Sequence, residues 1–281
     1  MKKILFPTDF SKAANHAFLY ALHLADRFNA EIITLHVYPF ALTTLGEYYT
    51  TVLENYDIQD LNEFENYKSH VPKWHRIAEE HHYGHVPISH VLESGDTVET
   101  ILEVAQSNQV DCIVMGTNGA HGITEIFFGS VTEKVMNRAH CMVMAVPSSN
   151  RHGHISRILF LTEFEEQHKT ALRQLIGFAK TVEAHIDVLQ VKLAFGHADE
   201  EKLLAWKAEF HSGNITFSVL NNAGTEKAIM DYMKLHHISM VAMTVKHKGL
   251  LERLFLQSMA SKMAFHSEIP VLALKYENPD L

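Results

Sequence analysis

"ILFPTDFS" at Ile4–Ser11 returns as "ILFLTEFE" at Ile158–Glu165, an offset of 154 residues. At the same offset "AEIITLHV" from Ala30 meets "AHIDVLQV" from Ala184. Farther along the offset becomes 128: "CIVMGTNG" from Cys112 meets "MVAMTVKH" from Met240, and "FFGSVTEKV" from Phe127 meets "FLQSMASKM" from Phe255. Self-similarity of this kind marks a duplicated unit. The offsets differ by 26, so the first copy carries that many additional residues between its second and fourth strands. The chain is therefore expected to divide into residues 1–147, a polar connection at 148–156, and residues 157–281.

Within each copy, short apolar runs alternate with helical patterns. In the first copy, Ile4–Phe6, Ile32–Val37, Val86–Leu92, Cys112–Gly116 and Met142–Val146 are bounded by Pro, Gly or Asp and predict buried parallel strands. Between them, Ala14, Ala17, Phe18, Ala21, Leu22 and Ala25 recur at helical spacing in Ala13–Phe28, with Ser11 placed as its N-cap. Thr97–Ser107 and Ser130–Ala139 predict two more helices. The alternation predicts an α/β chain of two tandem doubly wound five-stranded parallel-sheet domains. The additional segment of the first copy lies in Tyr38–His85, aromatic at its start and then apolar at near-helical spacing interrupted by Pro72. A longer amphipathic helix packed on the sheet is the expectation there, and a lid over a ligand is the other reading.

With 281 residues, each of two domains can bury its own core. A formal net charge of −9 argues against general attraction to nucleic acid or anionic lipid. No apolar run is long enough to span a bilayer, and the first strand begins by Ile4, so a cytoplasmic protein without a signal peptide is expected. Cys112 and Cys141 each sit in an apolar run and read as buried thiols rather than a disulfide.

The chemistry concentrates in "VMGTNGAHGITEIFFGSV" at Val114–Val131, where Gly116, Gly119, Gly129 and Ser130 form G-x2-G-x9-G-S. Ligands of open parallel sheets settle at the carboxyl ends of the strands, where strand order reverses. Glycine there permits φ > 0 and removes a Cβ that would hold a phosphate away from backbone amides. Gly129 and Ser130 open a helix whose free N–H groups and positive dipole end favour an anion. Together these predict a phosphate cradle, whereas any two of the glycines alone would suit tight turns.

These elements resemble the universal stress protein family of UspA type, in its tandem two-domain form, over nearly the whole chain. "PTDFS" after the first strand, "LHV" ending the second and the glycine motif carry the resemblance. It implies an adenine nucleotide alpha hydrolase-like, Rossmann-like fold and an ATP-binding regulatory protein of the stress response. It further implies that Gly116, Gly119, Gly129, Ser130, Val131 and Thr132 line phosphates and ribose. Met115 would sit beside the nucleotide, Val37 would meet adenine through its backbone, and Pro7 and Asp9 would close the base and ribose side. ATP is the nucleotide implied, with AMP or ADP as alternatives, and Mg²⁺ would accompany it through phosphate oxygens and water. In UspA-type dimers the last strands pair. "CMVMAV" and "VLALKY" are accordingly expected to join into an intrachain pseudo-dimer, with a homo-oligomer of such chains beyond it.

The second copy departs from the pattern. Thr244, His247 and Gln257 replace Gly116, Gly119 and Gly129, while Leu161 and Glu163 replace Pro7 and Asp9. Only Ser258 survives of the motif, so this copy is expected to be structural. Among the 21 histidines, "HHYGHVPISH" at His81–His90 suggests a metal site, but no cysteine or H-E-x-x-H pattern supports it and solvated surface histidines are the preferred reading. His121, inside the glycine loop, either touches the triphosphate or points to water. No G-x-S-x-G elbow, Walker A lysine motif or Ser/His/Asp set is present, so no catalytic residue is assigned and weak ATP hydrolysis is the most an enzyme reading supports. A scaffold without nucleotide is the competing class.

Overall fold

The computed structural model describes residues 1–39, 49–117, 129–148, 154–192, 197–211, 213–221, 225–244 and 269–275. Five strands come from the first half: β1 Lys3–Pro7, β2 Glu31–Tyr38, β3 Ile88–Ser94, β4 Cys112–Gly116 and β5 Met142–Val146. Five come from the second: β6 Arg157–Leu161, β7 His185–Lys192, β8 Ile215–Asn221, β9 Met240–Thr244 and β10 Val271–Leu274. They form one sheet in the order β3-β2-β1-β4-β5-β10-β9-β6-β7-β8. Read outward from the centre, the halves repeat one topology. All pairings are parallel except β5 with β10, which run antiparallel with Leu272 opposite Met144. The expected pairing of the two last strands is thus present within one chain.

Helices cover both faces. On one lie α1 Lys12–Phe28, α2 Tyr49–Glu80, α5 Glu166–Val182 and α6 His197–Glu209, packed over Ile4, Phe6, Ile158 and Phe160. On the other lie α3 Thr97–Ser107, α4 Ser130–Arg138 and α7 Thr225–Leu235, packed over Leu5, Ile113, Leu159 and Val241. Strand side chains alternate between these two cores, which is why the strands read as continuous apolar runs. Ser11 caps α1 as expected, its Oγ accepting from the Ala14 N–H at 3.1 Å. Cys112 and Cys141 are buried free thiols, and burial pushes both up, Cys141 to about 11.

β1 and β2 extend one residue past their expected limits at each end and α1 starts one residue early, and three further features differ from expectation. β3 begins at Ile88 rather than Val86, because the Val86 N–H turns back to the Tyr83 carbonyl and Pro87 has no N–H to give a ladder. Helix α4 stops at Arg138, with Ala139 already extended at ψ 145. Helix α2 runs through Pro72 instead of breaking there; Pro72 is exposed, so the carbonyl one turn earlier that loses its partner can turn to water. With 32 residues against 13 in α6, α2 accounts for 19 of the 26 additional residues.

Contacts between the halves go beyond strand pairing. The Lys275 ammonium donates to the Met136 and Asn137 carbonyls at 3.2 and 3.4 Å, capping the end of α4 from the other half. Phe28 meets Phe178 with ring centroids 5.4 Å apart where α1 and α5 touch, and Arg27 pairs with Glu183 beside them.

The second half also contains a buried charge with no counterpart in the first. Asp187, fully buried on β7 where the first copy has Ile33, accepts from Arg157 Nε at 2.6 Å and Nη2 at 3.0 Å. Removing one partner of such a pair leaves an uncompensated charge in the protein. Arg157→Met, which leaves the fully buried Asp187 carboxylate without its guanidinium, is expected to lower stability by about 3 kcal/mol in urea denaturation. Replacing Arg157 and Asp187 together by Met and Leu should restore most of that loss.

Candidate functional site

The two halves of each five-stranded unit wind in opposite directions from β1 and β4. Helices α1 and α2 lie on one face and α3 and α4 on the other, so these strands flank the topological switch point. Their pairing stops at Leu5 opposite Ile113, although β1 continues to Pro7 and β4 to Gly116. The strands therefore part toward their carboxyl ends and open a crevice.

Backbone direction supplies one wall. The Thr8 N–H donates to the Leu35 carbonyl at 2.8 Å, so that residue of β2 turns its backbone groups toward β1. Val37, two positions on, faces the same way but lies past the end of β1, and its N–H and C=O point toward the crevice. Its side chain packs on the α3–α4 side, near Met115, which is 6% exposed. Past β1, Asp9 is exposed and its Oδ1 accepts from the Ser11 N–H at 3.1 Å, a local turn that holds the carboxylate at the rim. Phe10 follows in the left-handed region at φ 63.

The opposite wall is the end of β4 and the start of α4. Thr132 Oγ1 donates to the Gly116 carbonyl at 3.0 Å, and the Gly129 N–H donates to the Thr117 carbonyl at 2.6 Å. These bonds hold the helix start against the strand end. The first bond within α4 runs from the Glu133 N–H to the Gly129 carbonyl at 3.0 Å, so the amides of Ser130, Val131 and Thr132 precede the helical ladder at its positive end. Ser130 is exposed and Gly129 and Val131 half-buried.

The expected role of glycine needs correction. Among the described glycines only Gly95 has a positive φ, at 152, so neither Gly116 nor Gly129 uses left-handed backbone. Gly129 sits at φ −52 and ψ 148, open to any residue. Its constraint is close approach, since a Cβ there would lie 3.3 Å from the Thr117 carbonyl oxygen. Gly119, His121 and Glu125 lie outside the described residues, as do His247, Gln257 and Ser258 of the second copy.

Two rim residues were missed by sequence reading. Thr117, 2% exposed, receives the Gly129 amide through its carbonyl, and its N–H donates to Val146 at 3.1 Å. His36 donates through Nδ1 to the Thr8 carbonyl at 2.8 Å, bracing the turn that carries Asp9, and its Nε2 stands 3.8 Å from Glu63 of α2. The "LHV" match drew attention to Val37 and passed over the histidine beside it.

At the corresponding rim of the second half, Thr244 stands where Gly116 does and is 1% exposed. Gln190 replaces His36, and among the described residues neither its amide nor the Thr244 hydroxyl has a hydrogen-bond partner. Glu165 replaces Ser11 and makes no side-chain cap.

Residues 1–147 match the model of the universal stress protein family. Universal stress protein MJ0531 of Methanocaldococcus jannaschii is 34% identical over 149 residues, 52% of this chain and 81% of its own. Universal stress protein MJ0577 of the same organism is 30% identical over 156 residues, 53% of this chain and 96% of its own. A crystal structure of a universal stress protein from Archaeoglobus fulgidus covers 99% of this chain and 97% of its own with TM-score 0.70 at 19% identity, a likeness of fold.

The Thr132–Gly116 bond can be tested by itself. Thr132→Val keeps the shape of a 3%-exposed side chain but leaves the Gly116 carbonyl without that donor. A loss of about 1 kcal/mol in denaturant unfolding is expected.

Proposed function

The chain belongs to the universal stress protein family, and from that premise we propose that its first half binds an adenine nucleotide, ATP foremost, as the input of a regulatory protein. The observation that supports this most is the close approach at Gly129, which brings the start of α4 against the end of β4 without a side chain at residue 129 to hold them apart. An anion seated there meets N–H groups of Ser130, Val131 and Thr132 and the positive end of the helix dipole. Gly116 and Gly119 would leave the same backbone open to phosphate.

The other residues fit the rest of the nucleotide. Adenine has both donor and acceptor edges, which suits the paired N–H and C=O of Val37, and Met115 offers an apolar contact. Asp9, beside Pro7, suits a ribose hydroxyl because an ionised carboxylate only accepts hydrogen bonds. Mg²⁺ would be held by phosphate oxygens and water and would offset the triphosphate charge. AMP and ADP bring fewer phosphates to the same amides and should bind less tightly than ATP.

On this reading residues 1–147 are the sensing domain, and 157–281 supply the paired sheet against which it is mounted. A nucleotide regulates only if some partner distinguishes filled from empty protein. That partner, a homo-oligomer of the chain and a cytoplasmic setting belong to the same proposal.

Mg-ATP titrated into the full chain should raise its melting temperature and displace a fluorescent ATP analogue. Gly129→Gln, which installs the second copy's residue, is expected to weaken ATP at least tenfold, about 1.4 kcal/mol. No response of the full chain to ATP, or unchanged affinity in the variant, would overturn the proposal in favour of a scaffold.

A further inference from the structure

Helix α2 lies over the sheet by an aromatic and histidine cluster rather than by an ordinary apolar stripe. Among the described side chains of α2, Tyr67 and Trp74 are the large buried ones, at 5% and 1% exposure. His90 of β3 stacks on Trp74, with ring centroids 5.8 Å apart and planes 21° from parallel. One residue along the helix, exposed His75 brings its Nε2 to 3.3 Å from the Nε2 of His90.

We propose that His75 and His90 form a two-imidazole site for a borderline transition-metal dication, Zn²⁺ foremost, which staples α2 to β3. Two Zn–N bonds of about 2.0–2.1 Å at a tetrahedral angle place their nitrogens about 3.3 Å apart. That is the separation found between these two Nε2 atoms. Imidazole suits Zn²⁺, Cu²⁺ and Ni²⁺, whereas Mg²⁺ and Ca²⁺ prefer oxygen.

The hydrogen bonds behind His90 favour the tautomer a metal needs. Tyr67 is held in its protonated form, its hydroxyl pushed by burial to about 12, so it donates to the Thr34 carbonyl at 3.0 Å. It accepts in turn from the Val91 N–H at 3.1 Å. Thr34 Oγ1 also stands 2.7 Å from the Tyr67 hydroxyl, and the Ser89 carbonyl, which can only accept, lies 3.2 Å away as an outlet for the threonine's own proton. With that proton on Ser89, an Oγ1 lone pair facing His90 Nδ1 at 2.8 Å accepts Nδ1–H, and this is the tautomer the proposal requires. The His90 Nε2 lone pair is then directed outward at His75. A ring nitrogen fixed by a hydroxyl while the other faces the metal is the usual arrangement behind ligating histidines.

Among the described residues no group of three or more His, Cys, Asp or Glu side chains is placed to hold a metal. Water therefore completes the coordination, and the site is solvent-facing and exchangeable. The metal would join residues 15 apart on two different elements, adding a link between the long insert and the sheet-edge strand β3. It shares no residue with the rim and does not rest on the nucleotide reading.

The test is a Zn²⁺ titration of the metal-free full chain, followed by long-range ¹⁵N signals of the histidine rings. His75 and His90 Nε2 are expected to shift together, with His90 Nδ1 remaining protonated. His75→Ala changes an exposed side chain and should weaken the binding seen at His90 by about tenfold or more. His81→Ala should leave it unchanged. Nε2 signals that excess Zn²⁺ does not move would show only an imidazole–imidazole hydrogen bond and overturn the proposal. Undiminished binding at His90 in His75→Ala would overturn it equally.

Discussion

The antiparallel pairing of β5 with β10 is the contact on which the molecule's architecture depends. Each five-stranded unit ends in a strand that is apolar on both faces, Met142–Val146 in one and Val271–Leu274 in the other. An exposed edge of that kind would recruit another chain. Joined to each other, the two edges disappear and two sheets become one of ten strands. The pairing aligns the cores as well: Met144 and Leu272 fall in one hydrophobic layer, Val143 and Ala273 in the other. Only the outermost strands, β3 and β8, remain as edges among the described residues. Both alternate partly buried and exposed positions instead of running fully apolar.

Helix α2 shows how a weakly apolar segment can still be fixed on a sheet. Its contacts with β2 and β3 are polar at regular steps: Asp60 accepts from Tyr38 at 2.7 Å, Glu63 faces His36, Tyr67 bonds Thr34 and His75 meets His90. Asp60, Glu63 and Tyr67 recur every three or four residues, and their partners Tyr38, His36 and Thr34 on β2 recur every two, so helix and strand periods meet along one line; His75 reaches β3 two turns farther on. Each bond is worth about 1 kcal/mol, small beside the burial of Tyr67 and Trp74. The polar ties select orientation, and the two rings supply most of the attraction. Near the rim the same helix reaches His36 and, through Phe10 stacked on His70 at 4.0 Å, the turn bearing Asp9.

The sheet was legible because its strands are buried on both faces and leave unbroken apolar runs, and β4 and β5 match their expected limits residue for residue. Duplication doubled that signal. What failed to read were features set by single hydrogen bonds. The start of β3 depends on whether Val86 turns back on Tyr83, and the fate of α2 at Pro72 depends on which way that residue faces. Thr117 and His36 were invisible for a similar reason. Neither residue type announces a brace, and their roles come from a carbonyl and a ring nitrogen that only three-dimensional register aligns. Of the two reasons for glycine at this rim, the described backbone of Gly129 supports close approach and not left-handed φ.

The asymmetry between the copies follows from which constraints the two rims share. Both halves keep the core positions, Ile4 and Phe6 against Ile158 and Phe160, because a cavity in either half weakens one common sheet. Both also keep a buried tryptophan beside a left-handed phenylalanine, Trp74 with Phe10 and Trp206 with Phe164. At the rim the two halves differ in residue type. In the second half Thr244 buries a hydroxyl where glycine stood, Gln190 leaves an amide unpaired among the described residues and the helix cap is gone. A buried polar group without a partner costs stability, and no folding advantage explains accepting two of them. The merger of the two sheets thus leaves the halves sharing one core but not one rim: the first holds Gly129 close against the Thr117 carbonyl, and the second buries a threonine where Gly116 stands.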